Sequence, residues 1–362
     1  MNFKRITISA LSSLLILSAC KKVENTDPIV PIEPVLPEGA YILSEGGFRG
    51  NNTKLSFYSK GNSAVTGDIF LQQNPDSTLG LGSLGNDVII YGSKMYIVMN
   101  ESSLVTVLKA SNAKFLKQII FKNGTVEKQP RYAVAARGKV YVTSWDNTVS
   151  VIDTSSLSII KSIRVGANPE GIAASANFLY VANSGLFNTV QDSTVSLIDL
   201  NTEVEVRKIK VGLNPNKIDI NRAGNVFVSA YGNFGNVAAS LSVIDGATNT
   251  TSINLGSGFA YSNIRIFGDI AYLYNNYGGT GTSKVYNTAT NTVVRNEFIT
   301  DGTVIQTPYG INIDEQNGDV YIADAGNFST AGKVTCFGSN GVKKFSFSTA
   351  PGVNPNKILF KR

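Results

Sequence analysis

From about residue 40 to the end of the chain, short stretches alternate apolar with polar residues, the period-2 signature of strands with one buried face. Gly, Asn, Asp and Ser punctuate them. Between Arg131 and Val211 the arrangement is written twice. Lys139-Val140-Tyr141-Val142-Thr143-Ser144, Val149-Ser150-Val151-Ile152-Asp153 and Ile160-Lys161-Ser162-Ile163-Arg164-Val165 are answered by Leu179-Tyr180-Val181-Ala182-Asn183, Val195-Ser196-Leu197-Ile198-Asp199 and Val206-Arg207-Lys208-Ile209-Lys210-Val211. Each copy opens on a Pro-led run, Pro130-Arg131-Tyr132 or Pro169-Glu170-Gly171. A copy therefore holds four strands and cannot bury its faces alone. Four short antiparallel strands at this spacing predict one propeller blade.

The aromatic-bearing second strand recurs at Tyr41, Tyr96, Tyr141, Tyr180, Phe227, Tyr272 and Tyr321. Its intervals of roughly 40 to 55 residues are those of blade repeats. The expected fold is all-β: a seven-bladed β-propeller of four-stranded antiparallel blades over residues 39–362. The first copy starts on a second strand, Ala40-Tyr41-Ile42-Leu43, and the chain stops on a first strand, Asn354-Pro355-Asn356-Lys357-Ile358-Leu359-Phe360. The C-terminal strand is thus expected to complete the N-terminal blade and remove the exposed edges an open ring would leave.

Residues 1–19 read as a lipoprotein signal peptide: Lys4 and Arg5 precede an apolar run from Ile6 to Leu17 that is too short to span a bilayer. Leu17-Ser18-Ala19-Cys20 then matches a lipobox, with Cys20 as the lipidated residue. Residues 20–38 form a polar and Pro-rich tether, whose Pro28, Pro31, Pro34 and Pro37 favour a semi-rigid polyproline II spacer. Lys21-Lys22 is not the aspartate retention signal of inner-membrane lipoproteins, so a lipid anchor in the outer membrane, facing the cell surface, is the expected location.

The remaining composition mainly excludes. The net charge is +6, of which Lys4 and Arg5 supply two, and no clustered basic stripe marks a nucleic-acid partner. Besides Cys20 there is one cysteine, Cys336, so no intramolecular disulfide is expected, and its alignment with Val151 predicts a buried small hydrophobe. There is no histidine, which removes Ser-His-Asp and Cys-His catalysis and imidazole-based metal sites. No cofactor, metal site or catalytic residue is expected. Gly80-Leu81-Gly82-Ser83-Leu84-Gly85 fits the dinucleotide fingerprint but precedes a strand, with no helix pattern after it. Asp314-Glu315-Gln316-Asn317-Gly318-Asp319 resembles half a calcium loop, yet Asn-Gly between strands reads better as a hairpin turn.

Candidate ligand-binding residues come from the loops that connect second to third strands and from the approaches to first strands, which should share one face. The loops carry Phe48, Trp145, Phe187, Tyr231 with Phe234, Tyr277 and Phe328, mostly beside Gly and Asn. The approaches add Arg131 and Tyr132, Glu170, Asn216 and Lys217, Tyr261, Tyr309, and Asn356 with Lys357. Aromatics offer stiff contact area and amides adaptable hydrogen bonds, so this face is expected to bind a small molecule.

Tyr141-Val142-Thr143-Ser144 and Tyr180-Val181-Ala182-Asn183, each before a Val-Ser-x-Ile-Asp strand, resemble the YVTN repeat of YncE-like propellers. The order Ile42-Leu43-Ser44-Glu45-Gly46, Met95-Tyr96-Ile97-Val98, Gln129-Pro130-Arg131-Tyr132 and Pro169-Glu170-Gly171, behind a lipobox, is similar to the BtuG-type surface lipoproteins. That resemblance implies a non-enzymatic protein that binds cobalamin at the outer membrane and passes it to a TonB-dependent transporter. The long loops from Phe187 to Ser193 and from Tyr231 to Ala239 depart from the pattern and would reshape the mouth. Two alternatives stand beside it: a structural or protein-docking propeller of the cell envelope, similar to surface-layer proteins and without a small-molecule ligand, and a propeller lyase or lactonase using Glu170 as its axial carboxylate.

Overall fold

The computed structural model describes residues 35–77, 80–255, 257–275 and 283–362. The signal peptide, Cys20, the tether up to Pro34, and Tyr277 lie outside the described residues. Seven four-stranded antiparallel sheets follow one another along the chain. Blades 2 to 7 are consecutive in sequence, their first strands being Gly85–Tyr91, Pro130–Ala136, Pro169–Ala174, Pro215–Ile220, Asn263–Phe267 and Pro308–Asp314. Blade 1 joins the two ends of the chain: Pro355–Lys361 pairs antiparallel with Gly39–Ser44, in register from Gly39 opposite Lys361 to Leu43 opposite Lys357. The expected architecture and its closure are both present.

The repeated second strand explains the packing. Its aromatic residue is buried in every blade, from Tyr41 through Phe227 to Tyr321, while the flanking apolar residues fill the spaces between sheets. Where the hydroxyl is carried, it is often spent on a neighbouring turn, as from Tyr141 to Glu203 Oε1 at 2.9 Å. Cys336 is buried in the third strand of blade 7 as expected, and burial pushes its thiol up to about 11. The Asp314 to Asp319 stretch is a hairpin turn, closed by Gly318 N–H donating to Asp314 O at 2.8 Å.

A second repeat places the site. Five first strands begin on proline: Pro130, Pro169, Pro215, Pro308 and Pro355. Pairing slips immediately after each of these prolines, and it slips after Gly85 in blade 2 as well. Such bulges bend a strand end and re-aim the residue they contain, and a strand's first residue is one of the few places where proline costs no ladder bond. The residue before four of these prolines has positive φ (Gln129, Asn168, Asn214, Asn354), a conformation Asn tolerates well. Arg131, Glu170, Asn216, Tyr309 and Asn356, each following such a proline, therefore occupy equivalent bulged positions around the ring.

Asparagine and aspartate side chains then tie inner strands together. Asn86 Nδ2 donates to Arg131 O, Asn356 Nδ2 to Gly85 O and Asn312 Nδ2 to Ile358 O, while Asp87 and Asp219 accept backbone N–H groups from Ala133 and Ile266 of the next blades. Buried polar groups satisfied across a blade boundary fix the angle at which blades meet.

Candidate ligand site at the mouth of the ring

The loops between second and third strands do share a face with the approaches to the first strands, and the backbone shows how. Trp145 N–H donates to Gln129 O, Gly185 to Ala167, Gly232 to Leu213, Ala325 to Thr307 and Gly46 to Val353. One bond of this kind in each of five blades holds the loop against the strand approach. Inside the ring of mouths, a cavity of about 730 Å³ is lined by the inner strands of all seven blades. That volume falls within the range of small-molecule sites, ~300–1,000 Å³.

Near the loop face the cavity wall is polar and charged. Arg131 Nε donates to both Glu170 carboxylate oxygens at 3.1 Å, and Trp145 Nε1 donates to Glu170 Oε1 at 2.9 Å. The guanidinium carbon lies 4.5 Å from the centre of the Trp145 ring. Glu170 is only 4 % exposed, so this carboxylate acts as a buried post that fixes an arginine and a tryptophan from blade 3. Burial disfavours the charge on Arg131, but Glu170 and Tyr132 more than compensate and hold the guanidinium firmly protonated.

Opposite, Tyr309 Oη donates to Glu45 Oε2 at 2.6 Å. Burial raises the Glu45 pKa, against the lowering effects of Tyr309, Arg131 and Lys217. Lys217 Nζ donates to the Tyr132 hydroxyl and sits 4.0 Å from the centre of that ring. Burial lowers its pKa to about 8, an effect that Glu170 opposes and Arg131 reinforces. Deeper in, aliphatic residues such as Val134, Ile172, Ile220, Ile311 and Leu359 share the wall with Arg265, which pairs with Asp219 at 3.2 Å and donates to Asn312 Oδ1 at 2.9 Å.

Above the charged tier stands a rim of exposed phenylalanines. Phe48 is 70 % exposed, Phe187 78 %, Phe234 69 % and Phe328 42 %. Three repeat one device, a Gly-x-Phe turn in which both outer residues are left-handed: Gly185 and Phe187 at φ 62° and 70°, Gly232 and Phe234 at 70° and 58°, Gly326 and Phe328 at 58° and 63°. Glycine is required at the first position of the blade 5 turn, since a Cβ on Gly232 would stand 2.0 Å from Val237 O. For a bulky residue such as Phe the left-handed region costs roughly 1–2 kcal/mol. Each ring also packs on an aromatic below it. Phe187 meets Trp145 edge-on at 5.6 Å, Phe328 meets Tyr309 edge-on at 5.6 Å, and Phe234 lies tilted on Tyr231 at 5.6 Å.

Of the residues expected from sequence, Arg131, Tyr132, Lys217, Tyr231 and Tyr309 line the cavity, and Glu170, Trp145, Phe187, Phe234 and Phe328 connect to them by the contacts above. Phe48 belongs to the rim, stacked under Arg49 at 5.1 Å. Two candidates sit elsewhere. Asn216 is buried and donates to Ser262 O of the neighbouring blade at 3.3 Å, because its bulged position faces the blade boundary. Tyr261 packs with Phe259 on the core between blades 5 and 6, 5.7 Å from Lys284 Nζ. Asn356 and Lys357, also expected at the axis, line the cavity, whereas the sequence reading did not nominate Glu45, Asp87, Asp219 and Arg265 as cavity residues. Asp87 is the first paired residue after the bulge of blade 2, whereas Arg265 lies in a first strand that pairs without a slip and carried no such signal.

The chain belongs to the family described as a domain of unknown function (DUF5074), which matches residues 38–358. Comparison with curated proteins finds no match. Solved structures share the propeller at low identity. A quinonprotein alcohol dehydrogenase-like protein from Bacteroides thetaiotaomicron aligns with TM-score 0.64 and 15 % identity over 91 % of this chain and 79 % of that one. A candidate 6-phosphogluconolactonase from Bacteroides uniformis gives 0.60 and 11 % over 90 % and 99 %. Hydrazine synthase from Kuenenia stuttgartiensis gives 0.58 and 22 % over 69 % and 74 %. At these identities the likeness is one of fold.

Proposed function

We propose that this chain is a non-enzymatic binding propeller, lipid-anchored through Cys20 in the outer membrane, that captures a flat amphipathic molecule on its loop face. In its sharpest form the ligand is cobalamin or a related corrinoid, handed on to a TonB-dependent transporter. One observation carries the reading: three phenylalanines, at equivalent turns of blades 4, 5 and 7, are held in a strained left-handed conformation, two with rings mostly in solvent and the third 42 % exposed. Strain kept at equivalent places without burial in return marks function more often than stability.

The tier beneath supports it. Arg131, Tyr132 and Tyr309 offer hydrogen bonds to an amide fringe, and the phenylalanines offer a platform for the flat face of a macrocycle. Glu170 is committed to Arg131 and Trp145, which suits a positioning role better than acid–base chemistry. Calorimetric titration with cyanocobalamin tests the sharpest form: a single site with micromolar or tighter affinity is expected. Absence of heat at tens of micromolar ligand would reject the corrinoid and leave the binding face to other flat ligands.

A further inference from the structure

Four cations line the cavity, and three are matched at contact distance by carboxylates. Arg131 pairs with Glu170 at 3.1 Å, Arg265 with Asp219 at 3.2 Å and Lys357 with Asp87 at 2.8 Å. The fourth, Lys217, forms no ion pair among the described residues; its ammonium faces the Tyr132 hydroxyl and ring. The remaining cavity carboxylate, Glu45, is bonded to Tyr309 instead. An ammonium carries three donors, of which Tyr132 takes one, and a charge held in a partly desolvated wall without a contact partner is costly. The pairing pattern thus leaves one cation without a carboxylate, connected to the aromatic rim through Tyr132, Arg131 and Trp145.

Resting on the reading of the loop face as a ligand site, we infer that the ligand carries an anionic group, a carboxylate, phosphate or sulfonate, on its flat apolar body, and that this group pairs with Lys217. Its apolar part meets the phenylalanine rim while the anion reaches down to the ammonium. Charge-assisted hydrogen bonds of this kind are about twice as strong as neutral ones, and such a pair inside a recessed cavity gains more than at an open surface.

The groups facing Lys217 are Tyr132, Glu170, Arg131, Asp87 and Glu45. Burial keeps Tyr132 neutral well above its ordinary range, and Arg131 stays charged. Lys217 is therefore the cation that titrates as pH rises through about 8, and anion affinity should fall over that window.

Two fluorescent probes isolate the charge: 8-anilino-1-naphthalenesulfonate and N-phenyl-1-naphthylamine share an aromatic body and differ in the sulfonate. The intact protein is expected to bind the sulfonate roughly tenfold more tightly at pH 7, about 1.4 kcal/mol. Lys217→Met should abolish that preference and its pH dependence while leaving the neutral probe within twofold. Lys217→Arg should keep the preference and lose the decline between pH 7 and 9.5. If both probes bind equally and Lys217→Met changes neither, the anion inference is wrong. If pH dependence persists in Lys217→Met, Glu45 and not Lys217 is responsible, which also overturns it. Binding of neither probe would instead overturn the loop-face reading on which the inference rests.

Discussion

Removing residues 355–362 is expected to abolish cooperative folding of the ring. The deleted strand is the inner strand of blade 1, paired along Gly39–Ser44. It buries Ile358 completely and sets Phe360 edge-on against Tyr321 at 5.0 Å. Its Asn356 and Lys357 also bind the first strand of blade 2, at Gly85 O and Asp87, and its Ile358 carbonyl accepts from Asn312 of blade 7. The loss combines a buried aliphatic worth about 1.5–3 kcal/mol with the stranding of the Asp87 carboxylate, 3 % exposed, without its partly exposed lysine partner. Together with the ladder bonds of a whole strand these terms weigh heavily against the stability of a typical domain, about 5–15 kcal/mol. Far-UV circular dichroism of the truncated chain should show no sharp thermal transition, and gel filtration should show association through the open edges. A circular permutant linking Lys361 to Gly39 should melt normally. A truncated monomer with a transition within a few degrees of the intact chain would mean that the ring does not depend on its closing strand.

Glu170→Ala should be the most damaging single substitution at the mouth. It removes the acceptor of both the Arg131 and the Trp145 hydrogen bonds and leaves a guanidinium beneath the rim with its carboxylate gone. Breaking a buried pair in this way costs about 3–5 kcal/mol, because a charge stays behind unpaired. Glu170→Gln keeps the shape and an acceptor for Trp145, so its loss should be smaller, about 1–2 kcal/mol. In urea unfolding, Arg131→Met combined with Glu170→Gln should cost clearly less than the sum of the single changes, since each alone strands its partner. Additive losses would show that the two side chains are not coupled.

The blades were legible because one strand pattern, copied seven times, carries both its period and its buried aromatic; the closure was legible because the copies at the two ends are complementary fragments. Arg131, Glu170 and Tyr309 could be nominated because each follows a proline at the same place in its copy. The pairing inside the cavity was not legible. Whether a residue after a bulge turns to the axis or to the next blade depends on a slip of one residue in register: Lys217 lines the cavity while Asn216 beside it ties two blades together. Tyr261 was nominated from its place in the approach to a first strand, but it packs on the core between blades 5 and 6. The left-handed phenylalanines were visible as residues but not as strained ones, because φ is set by the turn that Gly185, Gly232 and Gly326 permit.

The rim gives the most direct test, since strain and binding make opposite demands on the same residues. Glycine at Phe187 and Phe234 relieves the left-handed strain, roughly 1–2 kcal/mol each, and forfeits aromatic contacts of about 0.5–1.5 kcal/mol each. Unfolding stability should therefore stay the same or rise slightly. Affinity for the flat ligand should fall about thirtyfold for each ~2 kcal/mol lost from an anchoring aromatic. The measurement is urea unfolding of Phe187→Gly and Phe234→Gly, singly and together, alongside titration of the same samples with cyanocobalamin or the naphthalene probes. Unchanged or raised stability with lost binding is the expected result; lost stability with undiminished affinity per folded molecule would show that the rim packs the blades and that the ligand site lies elsewhere.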